Sequence, residues 1–153
     1  LWFIYLTLFF RVYLILYIFK YNMVNKLDKI LAEVSAGELI DKITILEIKK
    51  NKISNKEKLF DVEKELQSLN QTMKKYILND SKIIKYKNQL KEINSRLWDL
   101  ENAKRAAEKN GEFGDKFIND ARNVYKLNDE RAASKLTINN ILGSNIKEVK
   151  SYE

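Results

Sequence analysis

The chain contains almost no residue that interrupts a helix. Proline is absent from its 153 residues, and only four glycines occur. Proline breaks a helix interior and glycine weakens it, so segments without either residue can continue as helices for many turns. The glycines are at positions 37, 111, 114 and 143, where the apolar pattern places element boundaries. The sequence therefore predicts long helices joined by short connections.

Residues 115–142 lie between Gly114 and Gly143, contain neither glycine nor proline, and predict a helix of about eight turns. Apolar residues from Phe117 to Leu142 recur at helical spacing and form one face. Polar side chains share that face, which indicates either a buried polar network or a bound ligand. Arg122 and Asp129 lie at its edge and are predicted to line the rim of an interface. The polar residues within the face are Asn128, Arg131, Lys135 and Asn139.

An earlier helix is predicted over residues 36–53. Ser35 and Glu38 have the spacing of a capping box, in which the Ser35 hydroxyl accepts from the Glu38 amide and the Glu38 carboxylate reaches back to Ser35. Ile45 and Ile48 widen the apolar face of this helix, as expected for a helix that packs on more than one side.

A heptad seam runs through residues 56–78, where apolar side chains alternate at spacings of three and four. A second apolar series runs through residues 82–109, out of phase with the first. We therefore predict two antiparallel helices that form a long hairpin. Two interpretations of the seam are open: it packs on the second helix within the chain, or it pairs with another copy as a coiled coil. The seam consists of Leu59, Val62, Leu66, Leu69, Met73 and Tyr76.

Further polar residues lie on inward positions of two predicted helices. Glu47 falls between apolar residues of helix 36–53, and Asn94, Glu101 and Arg105 follow one edge of helix 82–109. Buried charges are costly unless they are paired. One hypothesis is that Glu47 and Glu101 neutralise the inward cations, which are Arg105, Arg131 and Lys135. The inward asparagines would then fix the helix register.

The alternative hypothesis is a binding site. Cations and amides from facing helices would converge on a small anion, such as a phosphate or a carboxylate. The candidate ligand-binding residues are Glu47, Asn94, Glu101, Arg105, Asn128, Arg131, Lys135 and Asn139.

Two helical enzyme classes show weak similarity to this pattern. Glu38 and Asp41 form one E-x-x-D pair, as used to hold Mg²⁺ for nucleotide pyrophosphate hydrolysis, but no second acidic motif accompanies it. Residues 40–46 are similar to a segment of the helical chorismate mutases, but the pattern is short and typical of any amphipathic helix. Neither similarity identifies a catalytic residue.

Cysteine and histidine are both absent. Disulfides, Cys/His zinc sites, thiol nucleophiles and imidazole proton transfer are therefore excluded. No cofactor and no metal site is predicted. The formal net charge is +7, from 28 basic and 21 acidic residues. The lysines are dispersed among glutamates along every predicted helix, which does not favour nucleic-acid binding.

Residues 1–22 are almost wholly apolar or aromatic and have the length of one membrane span. Arg11, near the centre, disfavours insertion by ~2.5–3.5 kcal/mol. The segment is either a membrane anchor or translated upstream sequence, with Met23 as the true start. Under both interpretations we expect residues 23–153 to form a single helical domain in the cytoplasm. If the segment is an anchor, the lysines that follow it place the domain on the cytoplasmic side.

The expected fold is all-α: a four-helix bundle-like domain with a long antiparallel helical hairpin. Residues 30–34 and the tail 145–153 are the two segments where a short strand pair could form.

Part of the sequence matches a known pattern. The matching residues begin with the run at 33–49, EVSAGELIDKITILEIK. The others are Leu97, Trp98, Phe113, Gly114, Phe117, Ile118, Ala121, Arg122, Val124, Tyr125, Asn128, Asp129, Arg131, Ala132, Lys135, Asn139, Gly143, Ser144, Glu148, Lys150, Ser151 and Tyr152.

Together these residues resemble a bacterial family without an assigned activity, domain-of-unknown-function family 6165, over about residues 33–153. The family usually has proline where Ala36 stands, a position at which proline strengthens a helix start. The resemblance implies the domain's extent rather than a mechanism, and it favours Met23 as the start.

Among functions, the sequence favours a helical interaction or scaffold module with an inward polar cluster, partnered by a second copy or another protein. The alternative is a binder or enzyme for a small anionic substrate that uses Arg, Lys and Glu between helices.

Overall fold

The computed structural model describes residues 9–17, 30–77 and 80–151. The chain divides into two compact units, Leu1–Glu33 and Val34–Glu153.

The first unit contains helix α1, described over residues 9–17, whose large apolar side chains are exposed. None of the helices in the described ranges is long and apolar enough to span a membrane. The predicted membrane segment, residues 1–22, is described over 9–17 alone, and the predicted start at Met23 lies outside the described residues.

The second unit consists of four helices, and among the described residues there is no strand, which confirms the all-α prediction. The helices are α2 (Ala36–Lys52), α3 (Lys56–Tyr76), α4 (Ser81–Asn110) and α5 (Asp115–Leu142).

The helix ends follow the predicted local chemistry. The Ser35 hydroxyl accepts from the Glu38 amide at 3.2 Å, so half of the predicted capping box is present. The predicted contact from the Glu38 carboxylate back to Ser35 is wrong, because that carboxylate accepts a hydrogen bond from Lys135 instead. Gly111 and Gly143 end α4 and α5 with φ of 70° and 62°, the left-handed conformation that glycine adopts without strain.

Helix α2 is the central element of the domain because α3, α4 and α5 all pack against it. Ile40, Ile43 and Thr44 are completely buried on α2. A helix surrounded on three sides needs a wide apolar surface, as Ile45 and Ile48 predicted.

A long antiparallel hairpin is present, but α4 and α5 form it. The N-terminal part of α4 packs on the C-terminal part of α5, where Ile83 and Leu90 meet Ile138. Farther along, Ile93 and Leu97 pack on Leu127.

The predicted packing of helix 56–78 on helix 82–109 is therefore corrected. The helix contacts of α3 are with α2, and its heptad seam is buried or half-buried from Leu59 to Met73, whereas Tyr76 at its end is exposed. Ion pairs flank the seam on both sides, between Lys42 and Glu65 at 2.6 Å and between Lys50 and Glu63 at 2.9 Å. The seam of α3 therefore packs within the chain. It packs on α2 rather than on the predicted partner α4, because α2 has an apolar surface wide enough for several neighbouring helices.

The suggested strand pair does not form in the described parts of these segments. Residues 30–34 and 145–151 have no strand conformation. Ser35 starts α2 directly after the first segment, and Glu148 attaches the second to Lys135 by a side-chain contact. Residues 145–151 are called the C-terminal tail below.

Gly37 allows the start of α2 to approach the backbone of α5. A Cβ atom at Gly37 would lie 2.5 Å from the main-chain oxygen of Lys135 and 2.9 Å from Asn139 Oδ1. A backbone carbonyl within a helix cannot rotate away as a flexible side chain can, so a side chain here would force the helices apart.

We expect Gly37→Ala to lower the free energy of unfolding by about 1–3 kcal/mol through this clash. In an open helix the same change raises stability by about 0.5–1 kcal/mol. Gly114→Ala is the control for adding a Cβ without a clash, because a Cβ at Gly114 meets nothing within 4 Å. Since Gly114 is the N-cap of α5, where alanine is less favourable than glycine, a loss of at most about 0.5–1 kcal/mol is expected there. Denaturant unfolding of both variants checks the prediction, and a neutral or stabilising Gly37→Ala would contradict the close approach.

Candidate functional site

A polar cluster lies where α2, α4 and α5 meet. We call it the interhelical cluster, and it consists of Glu38, Asp41, Thr44, Asn94, Arg131, Lys135, Asn139, Ser144 and Glu148.

Asp41 is the buried anion at its centre, with 1% of its surface exposed. Arg131 of α5 binds it through two nitrogens: Nε donates to Oδ1 at 2.9 Å, and Nη2 donates to Oδ2 at 2.5 Å. The hydrogen bonds to Asp41 raise the pKa of Arg131, although burial acts in the opposite direction. This two-point contact fixes both distance and orientation between α2 and α5.

Asn94 connects the same carboxylate to α4. Its Nδ2 donates to Asp41 Oδ1 at 2.8 Å and to Thr44 Oγ1 at 2.9 Å. The Thr44 hydroxyl in turn donates to the main-chain oxygen of Asp41. These bonds join one position on α4 to one turn of α2, which is how an asparagine can fix the register of two helices, as predicted for Asn94.

Lys135 has two carboxylate partners from different parts of the chain. Its Nζ donates to Glu38 Oε1 of α2 at 2.5 Å and to Glu148 of the C-terminal tail. Burial lowers the pKa of Lys135, but the hydrogen bonds to Glu148 and Glu38 outweigh burial and raise it. The hydrogen bond from Lys135 lowers the pKa of Glu148.

The first amides of α2 find partners at the end of α5. Gly37 N–H donates to Asn139 Oδ1 at 2.6 Å, and Ala36 N–H donates to the Ser144 hydroxyl oxygen at 3.1 Å. That hydroxyl donates to Asn139 Oδ1 at 3.2 Å. Helix N-termini carry amides without partners inside the helix, so these bonds complete the start of α2.

Within the described part of the chain, no buried side-chain nitrogen or oxygen lacks a hydrogen-bond partner. The buried polar atoms of the cluster therefore all have partners, which is how proteins tolerate polar groups in their interiors.

Four of the predicted site residues belong to this cluster: Asn94, Arg131, Lys135 and Asn139. Asn128 lies beside it, where its amide donates to the main-chain oxygen of Val124 in its own helix.

The other three predicted residues lie apart from the cluster. Glu47 pairs with Lys87 and Lys91 of α4 at 2.7 and 2.8 Å. Burial raises the pKa of Glu47, but hydrogen bonds and charges from these lysines outweigh it and lower the pKa. Glu101 pairs with Lys104 of its own helix, and Arg105 is exposed.

The predicted neutralisation scheme is therefore wrong in its partners. Arg131 and Lys135 are neutralised, but by Asp41, Glu38 and Glu148.

Sequence reasoning missed Asp41 and Thr44 as cluster members, although a signal existed. Asp41 precedes Ile45 and Ile48 by four and seven residues, so the widened apolar face includes it. Glu148 had no comparable signal, because the tail has no periodic pattern that places it against a helix.

The E-x-x-D pair of α2 is engaged by cations, since Glu38 binds Lys135 and Asp41 binds Arg131. In the described ranges, no three or more acidic side chains are grouped so that they could hold a metal ion.

A groove of about 340 Å³ lies on α5 beside the cluster. We call it the α5 groove. Its apolar lining comes from Ala121, Val124, Tyr125 and Ala132, and its polar lining from Asn128, Arg131, Lys135, Glu148 and Lys150.

These features define an all-α domain whose central helix is fixed to two neighbours by a polar cluster. The chain belongs to the family of unknown function DUF6165, whose sequence model matches residues 30–153, and the resemblance is thereby confirmed. Comparison with curated proteins and with solved structures gives no match. The Ala36 N–H donates to the Ser144 hydroxyl, a bond that a proline at this helix position could not make.

We expect Asp41→Asn to lower the free energy of unfolding by about 3 kcal/mol, because it leaves the half-buried Arg131 without its counter-charge. Asp99→Asn is the matched control. It removes an exposed ion pair with Lys52, for which at most about 0.5 kcal/mol is expected. Denaturant unfolding at neutral pH compares the two, and similar small losses in both would contradict the central position of Asp41.

The lowered pKa of Glu148 predicts acid sensitivity of the tail contact. The Glu148 carboxylate takes up a proton at a higher pH in the unfolded chain than in the folded protein. The stability that the ionised carboxylate contributes is therefore complete above the ordinary glutamate pKa of ~4.3. It is lost as pH falls through the lower, folded-state pKa. Wild type should therefore unfold at a higher temperature than Glu148→Gln near pH 7, and the difference should shrink as the pH is lowered below the ordinary glutamate pKa of ~4.3. Thermal unfolding across this range checks it, and a constant difference would contradict the linkage.

Proposed function

We propose that this domain is a helical interaction module. The interhelical cluster holds α2, α4 and α5 in a fixed arrangement, and the outward surface of α5 makes the intermolecular contact. The observation that carries the proposal is the contrast between inward and outward groups: the inward polar groups have partners within the chain, whereas α5 keeps large apolar side chains exposed.

The exposed apolar residues of α5 support this choice of surface. Ile118, Tyr125 and Leu136 are 43%, 56% and 43% exposed. They lie within about 20° of one another on the helix at ~100° per residue, so they fall on one line along its surface, which we call the apolar stripe. Ala121 and Ala132, which line the α5 groove beside Tyr125, add to the apolar surface on this side of the helix. Large exposed apolar patches typically mark a site of association.

The second candidate is the binder for a small anion, which the α5 groove favours because Asn128, Arg131 and Lys135 line it. We rank it second because of the local charge. Three cations line the groove, Arg131, Lys135 and Lys150. Their partners are four carboxylates, so the immediate surroundings carry no excess positive charge to attract an anion. Those partners are Asp41, Glu38, Glu148 and Asp129.

A panel of anions separates the two candidates. Phosphate, sulfate, succinate and citrate, compared with chloride at equal ionic strength, should raise the unfolding temperature of wild type by no more than they raise that of Asn128→Ala. This variant removes a groove amide whose structural bond is a contact to Val124 within its own helix, so it should fold. A shift that one anion produces in wild type and not in Asn128→Ala would contradict the interaction module and favour the anion binder.

A further inference from the structure

We propose that the partner of α5 is a second copy of this chain, paired antiparallel about a two-fold axis that crosses α5 near residues 125 and 126. The inference rests on the proposed function and adds the identity and geometry of the partner.

The shape of the surface is self-complementary. Tyr125 projects from α5 and also forms part of the wall of the α5 groove, next to the small side chains of Ala121 and Ala132. A projection and a hollow are thus adjacent on one face, as a two-fold interface requires. Antiparallel pairing places each Tyr125 beside the other copy's groove.

The apolar stripe has the length for such a contact. Ile118 and Leu136 are 18 residues apart, or ~27 Å along the helix. An antiparallel partner paired about residues 125 and 126 sets Ile118 of one copy opposite Ala133 of the other, three residues (~4.5 Å) from Leu136, with the tyrosines between them. Both ends of the stripe would then be covered.

The charges at the edge of the stripe favour the same arrangement. Arg122 and Asp129 are one heptad apart, ~10.5 Å, on the same edge. Antiparallel pairing about the midpoint sets Arg122 of each copy against Asp129 of the other, whereas parallel pairing in register would place like charges together. Asp129 also binds Lys150, but its side chain is 54% exposed and can accept a second cation.

The heptad seam of α3 does not compete for this role. From Leu59 to Met73 it is buried or half-buried in a helix whose contacts are with α2, and ion pairs flank it. On the outward side of α3, Phe60 is an exposed aromatic residue among polar neighbours. It therefore provides a matched control for Tyr125.

Charge exchange in the full chain tests the pairing. One helix pair buries less than the ~800 Å² per partner of a standard interface, so we expect a weak dimer, with a dissociation constant of ~10–100 µM. Sedimentation equilibrium should show that Arg122→Glu and Asp129→Lys each weaken self-association by about tenfold or more. An equimolar mixture of the two variants should recover it. In the mixed dimer, the glutamate introduced in one copy faces the lysine introduced in the other, and the native Arg122–Asp129 pair remains at the second site.

An aromatic substitution in the same sedimentation experiment tests the centre of the interface. Tyr125→Ser should weaken the dimer by about tenfold, because it removes the side chain that each copy places beside the other's groove. Phe60→Ser should leave the dimer unchanged.

Each outcome is decisive, provided that circular dichroism shows the variants to be folded. A wild-type chain that stays monomeric up to ~1 mM overturns the pairing, since no measurable dimer would exist. A dimer that the three α5 variants leave unchanged, or a mixture that does not recover, also overturns it. The sedimentation results test the pairing alone, whereas the anion panel tests the interaction module. Failure of the pairing and failure of the proposed function are therefore distinguishable.

Discussion

One buried carboxylate, that of Asp41, connects the central helix α2 to both α4 and α5. A charge in a protein interior requires partners, and those of Asp41 come from two different helices: Arg131 from α5 and Asn94 from α4. Such pairs fix geometry more reliably than they add stability, because desolvation offsets much of their attraction. The inward polar side chains Arg131, Lys135 and Asn139 of α5 all have partners within this arrangement.

Much of the fold could be predicted from local signals. The absence of proline and the glycine positions placed the ends of α4 and α5 where they are found, and Ser35 marked the start of α2. Polar residues inside an apolar face predicted a network, and Arg131 and Lys135 belong to it. Helical periodicity is a local property, so it identifies elements and buried faces well.

Partners were harder to predict than elements. The seam of α3 indicated that the helix packs on an apolar surface but not on which one, and α2 rather than α4 provides it. Glu47 and Asp41 are both acids on α2, and their cations differ because one side of the helix faces Lys87 and the other faces Arg131. These choices depend on the crossing of helices and on an aperiodic tail, neither of which a single sequence encodes locally.

A double-mutant cycle between Asp41 and Arg131 tests the central claim most directly. The free energy of unfolding would be measured for wild type, Asp41→Leu, Arg131→Met and the double variant. If these charges hold α2 to α5, the double variant should be more stable than the sum of the single losses implies, with an interaction energy of about 2 kcal/mol. Losses that add to within about 0.5 kcal/mol would contradict the account, because the two side chains would then act independently.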